Sequence, residues 1–159
     1  MIRYVIVMVC FSLPAGQCYA QTEVGDPGFR KLFPSAVLAL EGAHACHRME
    51  IYLARTREQR ARGLMFVRTM PADNGMLFVY DGNAVLSMWM KNTIVPLDIV
   101  FITERGEIAN IARMTTPFSQ DSIAAAAPVR FVLELNAGKA DELGLTDGQI
   151  ILIPELAGI

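Results

Sequence analysis

The sequence has few of the side chains that most often carry catalysis or bind metals. Its 159 residues include three cysteines, two histidines and one tryptophan. It contains no glycine-rich phosphate loop, no G-x-S-x-G nucleophile turn and no H-E-x-x-H metal helix. These absences exclude the common phosphate-binding motifs, the α/β-hydrolase nucleophile and zinc peptidases. The sequence identifies no reaction, and a binding or accessory role is favoured over catalysis.

Charge is also scarce, since 19% of the residues are Asp, Glu, Lys or Arg. The formal net charge is −2, from 14 basic and 16 acidic residues. A nucleic-acid-binding domain needs a basic face, so we predict no nucleic-acid partner. The length suits one domain with an ordinary hydrophobic core, and we predict a monomer.

A long apolar run lies at the amino terminus. Arg3 supplies a short positive region, residues 4–13 are an apolar stretch, and small residues at Cys18 and Ala20 suit signal peptidase. The run is too short to cross a bilayer of roughly 30 Å as a helix. We therefore predict that residues 1–20 are a cleaved signal peptide. The mature protein would be exported, periplasmic or secreted, with no membrane span after cleavage.

Cleavage would leave Cys46 as the single cysteine of the mature chain. An exported domain with one cysteine has no internal disulfide, so its core must stabilise it. Residues 21–34 are polar and rich in glycine and proline, which predicts a flexible leader. Residues 35–159 are predicted to form the single domain.

Short segments of alternating hydrophobicity follow residue 35, separated by turn residues about every eight to twelve positions. The predicted strands are 36–40, 45–53, 76–80, 84–90, 97–103, 108–114, 130–135 and 149–153. Thr56 and Gln59 match a capping box, which predicts a short helix ending at Gly63. A second short helix is predicted within 137–143. The pattern predicts an all-β fold, a single β-sandwich or jelly-roll-like domain of about eight or nine strands with two short helices.

Five short motifs occur in a fixed order along the chain. They are GLM at 63–65, GMLF at 75–78, WMKNT at 89–93, PLD at 96–98 and VLELNAG at 132–138. With these motifs the chain resembles the domain of unknown function 192 family of bacteria and archaea, over about residues 49–153. Arg60 fits the family's usual arginine before GLM. Many members carry another arginine two residues after the GLM methionine, whereas this chain has Val67 there and Arg68 next. The resemblance implies an all-β sandwich, often behind a signal peptide, and no activity.

Residues 87–101 combine the features that best suit a ligand site. Trp89 offers a flat contact surface, polar residues follow it, and Asp98 lies within an apolar run. We predict a small ligand-binding or accessory module of the cell envelope, whose partner is an unknown small molecule or envelope component. The residues 115–127 could form a flap over the site. The candidate ligand-binding residues are Arg60, Trp89, Lys91, Asn92, Thr93, Asp98 and Glu134.

Asp98 also has a purely structural interpretation, because buried carboxylates need partners. It could pair with Lys91 or Arg60, or accept hydrogen bonds from turn amides within 92–95. An enzymatic alternative combines Asp98 with Glu134 as the two carboxylates of a glycan-acting hydrolase. The distance between two carboxylates in separate strands cannot be read from the sequence.

The Met88-Trp89-Met90 triplet supports a third hypothesis, a Cu(I)-binding periplasmic protein. Thioether sulphur binds soft ions, and His44 or His47 could add a nitrogen ligand. Methionine on the buried face of a strand more often fills space in the core than binds a metal. The two histidines around Cys46 are too few ligands for zinc. We predict no cofactor, and no metal outside this copper alternative.

Overall fold

The computed structural model of the protein describes residues 27–41 and 46–151. The predicted signal peptide, His44 and the end of the last predicted strand lie outside these ranges. The helices are α1 (Pro27–Leu32), α2 (Arg57–Arg62) and α3 (Lys139–Glu142). The strands are β1 (Ser35–Glu41), β2 (Cys46–Ala54), β3 (Asn74–Ala84), β4 (Ser87–Met88), β5 (Leu97–Ile102), β6 (Ile108–Ala112), β7 (Ile123–Ala124) and β8 (Val129–Asn136).

Six of these strands form one mixed sheet in the order β1–β2–β3–β8–β5–β6. Strands β2 and β3 run parallel, and every other neighbouring pair in the sheet is antiparallel. Strands β4 and β7 form a separate two-stranded sheet. This confirms the predicted all-β, sandwich-like fold, with three short helices in the described residues instead of the two predicted.

The large sheet is buried on both faces because alternate side chains enter two different apolar clusters. One face carries Leu77, Val100 and Leu133 and packs against Leu143, just beyond α3, so we call it the α3 face. The opposite face carries Phe78, Ile99 and Val132. It is covered by residues from 64–70 and 86–95, and we call it the loop face.

The domain begins earlier than the predicted boundary at residue 35. Residues 27–32 form α1, and Phe33 is 1% exposed within the loop-face core. The sequence of this segment is polar and contains glycine, and one buried phenylalanine produces no periodic hydrophobic pattern. The packing of Phe33 could therefore not be predicted from the sequence. Residues 27–34 therefore belong to the fold and not to a leader.

The helix α2 begins as predicted. The Thr56 hydroxyl accepts a hydrogen bond from the Gln59 N–H, and the Gln59 side chain accepts one from the Thr56 N–H. Gly63 ends the helix with φ +46° and ψ −141°, a positive φ outside the left-handed helical region. A Cβ at Gly63 would lie 3.1 Å from the Phe78 ring. Glycine at the start of GLM thus serves both the turn and the packing of the loop face.

Two predicted strands differ from the structure. The expected strand at 84–90 is only the two residues of β4, because β3 continues to Ala84 and shifts register against β8 after Val79. The described part of the expected strand at 149–153 makes one isolated bridge, Glu107 to Ile150. Each helix in the described residues is too short or too polar to span a bilayer.

Candidate functional site

Three loop segments meet on the surface above the loop face and are joined by backbone hydrogen bonds. The N–H of Phe66 donates to the Asn92 carbonyl at 2.9 Å, and the N–H of Phe118 donates to the Thr93 carbonyl at 3.1 Å. The N–H of Met90 donates to the Ser119 carbonyl at 3.0 Å. The WMKNT motif therefore lies between the GLM region and the 115–127 segment that was predicted to be a flap.

Large apolar side chains project into solvent from these segments. Phe66 is 61% exposed, Trp89 49% and Phe118 60%. We call these three residues the exposed patch. Buried apolar side chains stabilise a fold, whereas several exposed ones in linked segments typically mark an interaction surface.

The backbone of this region is strained. The non-glycine residues with positive φ in the described chain are Phe66 at 65°, Asn92 at 56°, Met114 at 49° and Phe118 at 62°. Phe66 and Phe118 belong to the exposed patch, and the Asn92 carbonyl accepts a hydrogen bond from Phe66. Left-handed backbone costs roughly 1–2 kcal/mol for a residue with a Cβ, and asparagine tolerates it best. Strain of this kind tends to gather at functional sites.

Two cations lie over the aromatic rings of the patch. The Lys91 ammonium is 5.1 Å from the centre of the Trp89 ring, and the Arg62 guanidinium is 4.9 Å from that of Phe66. Neither cation forms an ion pair within the described residues. The surface therefore combines flat apolar groups with positive charge that no acid in the described part of the chain pairs with.

Asn92 and Thr93 shape the turn that carries Lys91. The Asn92 side-chain amide lies 3.9 Å from the Met65 sulphur, and the buried Thr93 hydroxyl donates to the Lys91 carbonyl at 3.4 Å. Thr93 thus contributes to the site through its main chain. Of the predicted ligand-binding residues, the structure brings together Trp89, Lys91, Asn92 and the backbone of Thr93.

Asp98 is completely buried on the α3 face and binds two backbone amides. Its Oδ1 accepts from the Met114 N–H at 2.8 Å and its Oδ2 from the Ala140 N–H at 2.9 Å. The second bond caps α3, whose own N-cap Gly138 has no side chain to do so. Asp98 is a structural acceptor, as one interpretation of the sequence held. However, its partners are the amides of Met114 and Ala140 and not those of 92–95.

Glu134 lies on the loop face between Met76 and Ile99 of the neighbouring strands. It is 4% exposed, and burial raises the pKa of Glu134 to about 8. No hydrogen bond or ion pair to its carboxyl occurs within the described residues. Burial also raises the pKa of the nearby Tyr80 hydroxyl; Arg60 opposes that shift, and Glu134 adds to it.

Asp98 and Glu134 do not share a cleft. Asp98 pairs with Leu135 across the β5–β8 ladder, so the Glu134 side chain points to the opposite face of the sheet. Two carboxylates that flank one scissile bond must face the same cavity. The two-carboxylate arrangement of the hydrolase hypothesis is therefore wrong.

Arg60 joins α2 to the sheet and lies apart from the patch cations. Its guanidinium donates to the carbonyls of Arg55 and Val79, the latter at 2.9 Å, and lies 4.8 Å from the centre of the Tyr80 ring. These contacts are all internal to the domain. A structural role therefore explains why an arginine, Arg60, precedes the GLM motif.

The described side chains that were suggested as copper ligands do not lie together. Met90 is fully buried and its sulphur accepts from the Thr115 hydroxyl at 3.2 Å, while the Met88 sulphur lies 4.0 Å from the Tyr80 hydroxyl. Both methionines pack on the loop face, but His47 stands beside Leu40 on the α3 face. Residues 27–41 and 46–151 contain no cluster of three or more His, Cys, Asp or Glu suited to a metal.

A cavity of about 560 Å³ opens beside the patch and was missed by the sequence reasoning. Its lining residues are Leu32, Tyr52, Arg62, Leu64, Phe66, Val67, Arg68, Thr69, Met70 and Pro71. Most of them follow α2 in one irregular segment without periodicity, so no helix or strand pattern indicated a concave surface. The two arginines among apolar residues were the available signal.

Fold and site together define an all-β sandwich-like domain with an aromatic and cationic surface beside a cavity. The family model of domain of unknown function 192, described as "Uncharacterized ACR", matches residues 38–153. The chain therefore belongs to this family. Two of the five motifs, GLM and WMKNT, lie in the segments that carry the site, and PLD supplies Asp98.

Two solved structures are similar to this chain. A candidate transcription regulator from Sinorhizobium meliloti 1021 is 38% identical, with a TM-score of 0.69 over 74% of this chain and 92% of that one. A protein of unknown function from Novosphingobium aromaticivorans DSM 12444 is 33% identical, with a TM-score of 0.71 over 75% of this chain and 85% of that one. No curated protein matches the chain.

Proposed function

We propose that this protein is an exported ligand-binding or accessory domain of the cell envelope, and that the exposed patch with Lys91 and Asn92 is its site. One observation carries the proposal: three of the four non-glycine residues with positive φ in the described chain, Phe66, Asn92 and Phe118, lie together where large apolar side chains are exposed. A fold that needed only stability would place glycine at these turns and bury the rings.

The chemistry of the patch suits a ligand with a flat, partly apolar face. Aromatic side chains supply large contact area at low conformational cost. Lys91 and Arg62, which lie over the Trp89 and Phe66 rings, add hydrogen-bond donors. A sugar ring presents both an apolar face and hydroxyl acceptors, so glycans of the envelope are the first ligands to test. The acidic net charge of −2 gives no support to DNA binding.

Trp89 is the single tryptophan of the chain, so its fluorescence reports on the proposed site alone. We expect oligosaccharides of N-acetylglucosamine to shift or quench this emission. A ligand present at 100 times its dissociation constant should also add about 2.7 kcal/mol to the free energy of unfolding. Duplex DNA, envelope peptides and Cu(I) under reducing conditions belong in the same titration series.

Variants separate the proposed site from the rest of the surface. Lys91→Gln should weaken binding while Val37→Ala, an exposed apolar residue on β1, should not. An unchanged emission with every sugar and peptide would contradict the ligand-binding role. Export is tested independently by cell fractionation and by sequencing the amino terminus of the secreted chain, which should begin at Gln21.

A further inference from the structure

We propose that the cavity beside Phe66 is a second binding site, specific for an apolar molecule that carries a carboxylate. This goes beyond the proposed surface site, because the cavity has its own lining and shares only Phe66 and Arg62 with the patch and its cations.

The size and lining of the cavity suit a small organic ligand. Small-molecule sites usually enclose about 300–1,000 Å³ and have mainly apolar walls with a few polar groups. This cavity has about 560 Å³, and Tyr52, Leu64 and Met70 are among its apolar lining residues. A ligand there would contact apolar side chains over most of its surface.

Among the described residues, positive charge in the lining is not balanced by negative charge. Arg62 and Arg68 line the cavity, and no described aspartate or glutamate does. Within the described residues, neither arginine takes part in an ion pair. A guanidinium presents paired donors that match the two oxygens of a carboxylate. The complementary ligand is therefore an anion with an apolar body, and a cation of the same shape would be repelled.

The cavity wall is held by bonds to the sheet. The Asn136 side-chain amide donates to the carbonyls of Met70 at 3.3 Å and Pro71 at 3.0 Å. At the other end of the segment, the Phe66 N–H is bonded to the Asn92 carbonyl. Tyr52 is itself anchored, since its hydroxyl accepts from the Asn74 side chain at 3.5 Å. A wall fixed at both ends favours a formed site over a chance gap between loops.

Octanoate is the probe, with octanol and octylamine as neutral and cationic analogues of the same chain length. Isothermal titration of the full chain near neutral pH should show octanoate binding at least about tenfold more tightly than octanol, with no binding of octylamine. Loss of a charge-assisted bond corresponds to roughly a tenfold loss of affinity or more. Arg62→Gln and Arg68→Gln should each weaken octanoate by about that factor.

Arg57→Gln is the matched control, because Arg57 lies on the same helix as Arg62, is exposed and does not line the cavity. It should leave octanoate affinity unchanged. Equal affinities for octanoate and octanol, no binding of octanoate, or equal effects of the three arginine variants would each overturn the proposal.

The Trp89→Ala variant distinguishes the two sites. We expect it to retain octanoate binding, because Trp89 does not line the cavity. If Trp89→Ala abolishes octanoate binding, the acid binds at the exposed patch and the cavity site is rejected. Failure of the glycan titrations, with octanoate binding intact, would reject the proposed function and leave the cavity site standing.

Discussion

The buried carboxylate of Asp98 accepts a hydrogen bond at 2.8 Å from the backbone N–H of Met114, whose large apolar side chain is exposed. Asp98→Asn replaces one acceptor oxygen with an NH₂ group that faces an N–H donor. A buried donor left without a partner costs about 1–3 kcal/mol. We therefore expect urea unfolding to show a loss of this size, and a larger loss for Asp98→Ala.

Asp81→Asn is the control for this change, since Asp81 is exposed near the end of β3. Exposed substitutions usually change stability by no more than about 0.5 kcal/mol. Equal losses for Asp81→Asn and Asp98→Asn would show that the two backbone bonds contribute nothing specific.

We expect Phe118 to support glycan binding at a cost in the stability of the fold. Its ring is 60% exposed, so little burial is lost on substitution, and its φ of 62° suits asparagine better than phenylalanine. We expect Phe118→Asn to keep or raise the free energy of unfolding, by up to about 1 kcal/mol, while weakening the Trp89 fluorescence response to glycans. A clear loss of stability, with glycan binding unchanged, would contradict the assignment of Phe118 to a strained ligand site.

Glu134 should make the protein less stable as pH rises. Its pKa is about 8 in the folded protein against a usual 4.5, so the native state holds a proton that the unfolded state releases between these values. The unfolded state then binds fewer protons, and the free energy of unfolding falls with pH through this window, by up to about 1.4 kcal/mol per unit. Above pH 8 the loss is complete.

Glu134→Gln removes this titration while keeping the shape of the side chain. Urea unfolding measured from about pH 5 to 9 should show a flatter profile for Glu134→Gln than for the wild type. Glu107→Gln, at an exposed position, should follow the wild type. Parallel profiles for all three proteins would mean that Glu134 is ionised in the native state.

Gly75 leaves no room for a side chain. A Cβ at this position would lie 2.7 Å from the Glu134 carbonyl, 3.0 Å from Leu135 and 3.1 Å from Ile51. Overpacking of a core typically costs about 1–3 kcal/mol, and we expect that loss for Gly75→Ala in urea unfolding. Gly82→Ala is the control, because no atom lies within 4 Å of its Cβ position. Equal stability of the two variants would show that the sheet adapts at Gly75.

Local features of the fold could be predicted from the sequence because their causes are local. The capping box of Thr56 and Gln59 involves atoms of one helical turn. The burial of Asp98 followed from the apolar residues on either side of it. The order of the strands could not be predicted in this way, since the pairing of β8 with both β3 and β5 joins distant parts of the chain.

The geometry of the site could not be predicted for the same reason, because it depends on the register of the paired strands. Asp98 and Glu134 both lie in apolar strands, and a register shift of one residue would have put them on the same face. The register is set by the whole ladder, so no local pattern reports it. Trp89 and Lys91 are close in sequence, so a local pattern could group them, but Phe66 and Phe118 join them only through long-range backbone bonds.

The central position of β8 has a consequence for how the chain reaches its folded state. This strand is the last of the large sheet in sequence, and it separates β1–β2–β3 from β5–β6. Until residues 129–136 leave the ribosome, the two halves have no shared strand and expose their inner edges. Assembly of the sheet must therefore wait until nearly the whole domain has been synthesised. During that time the inner edges of β3 and β5 lack their partner strand, and unpaired strand edges are liable to pair with other chains.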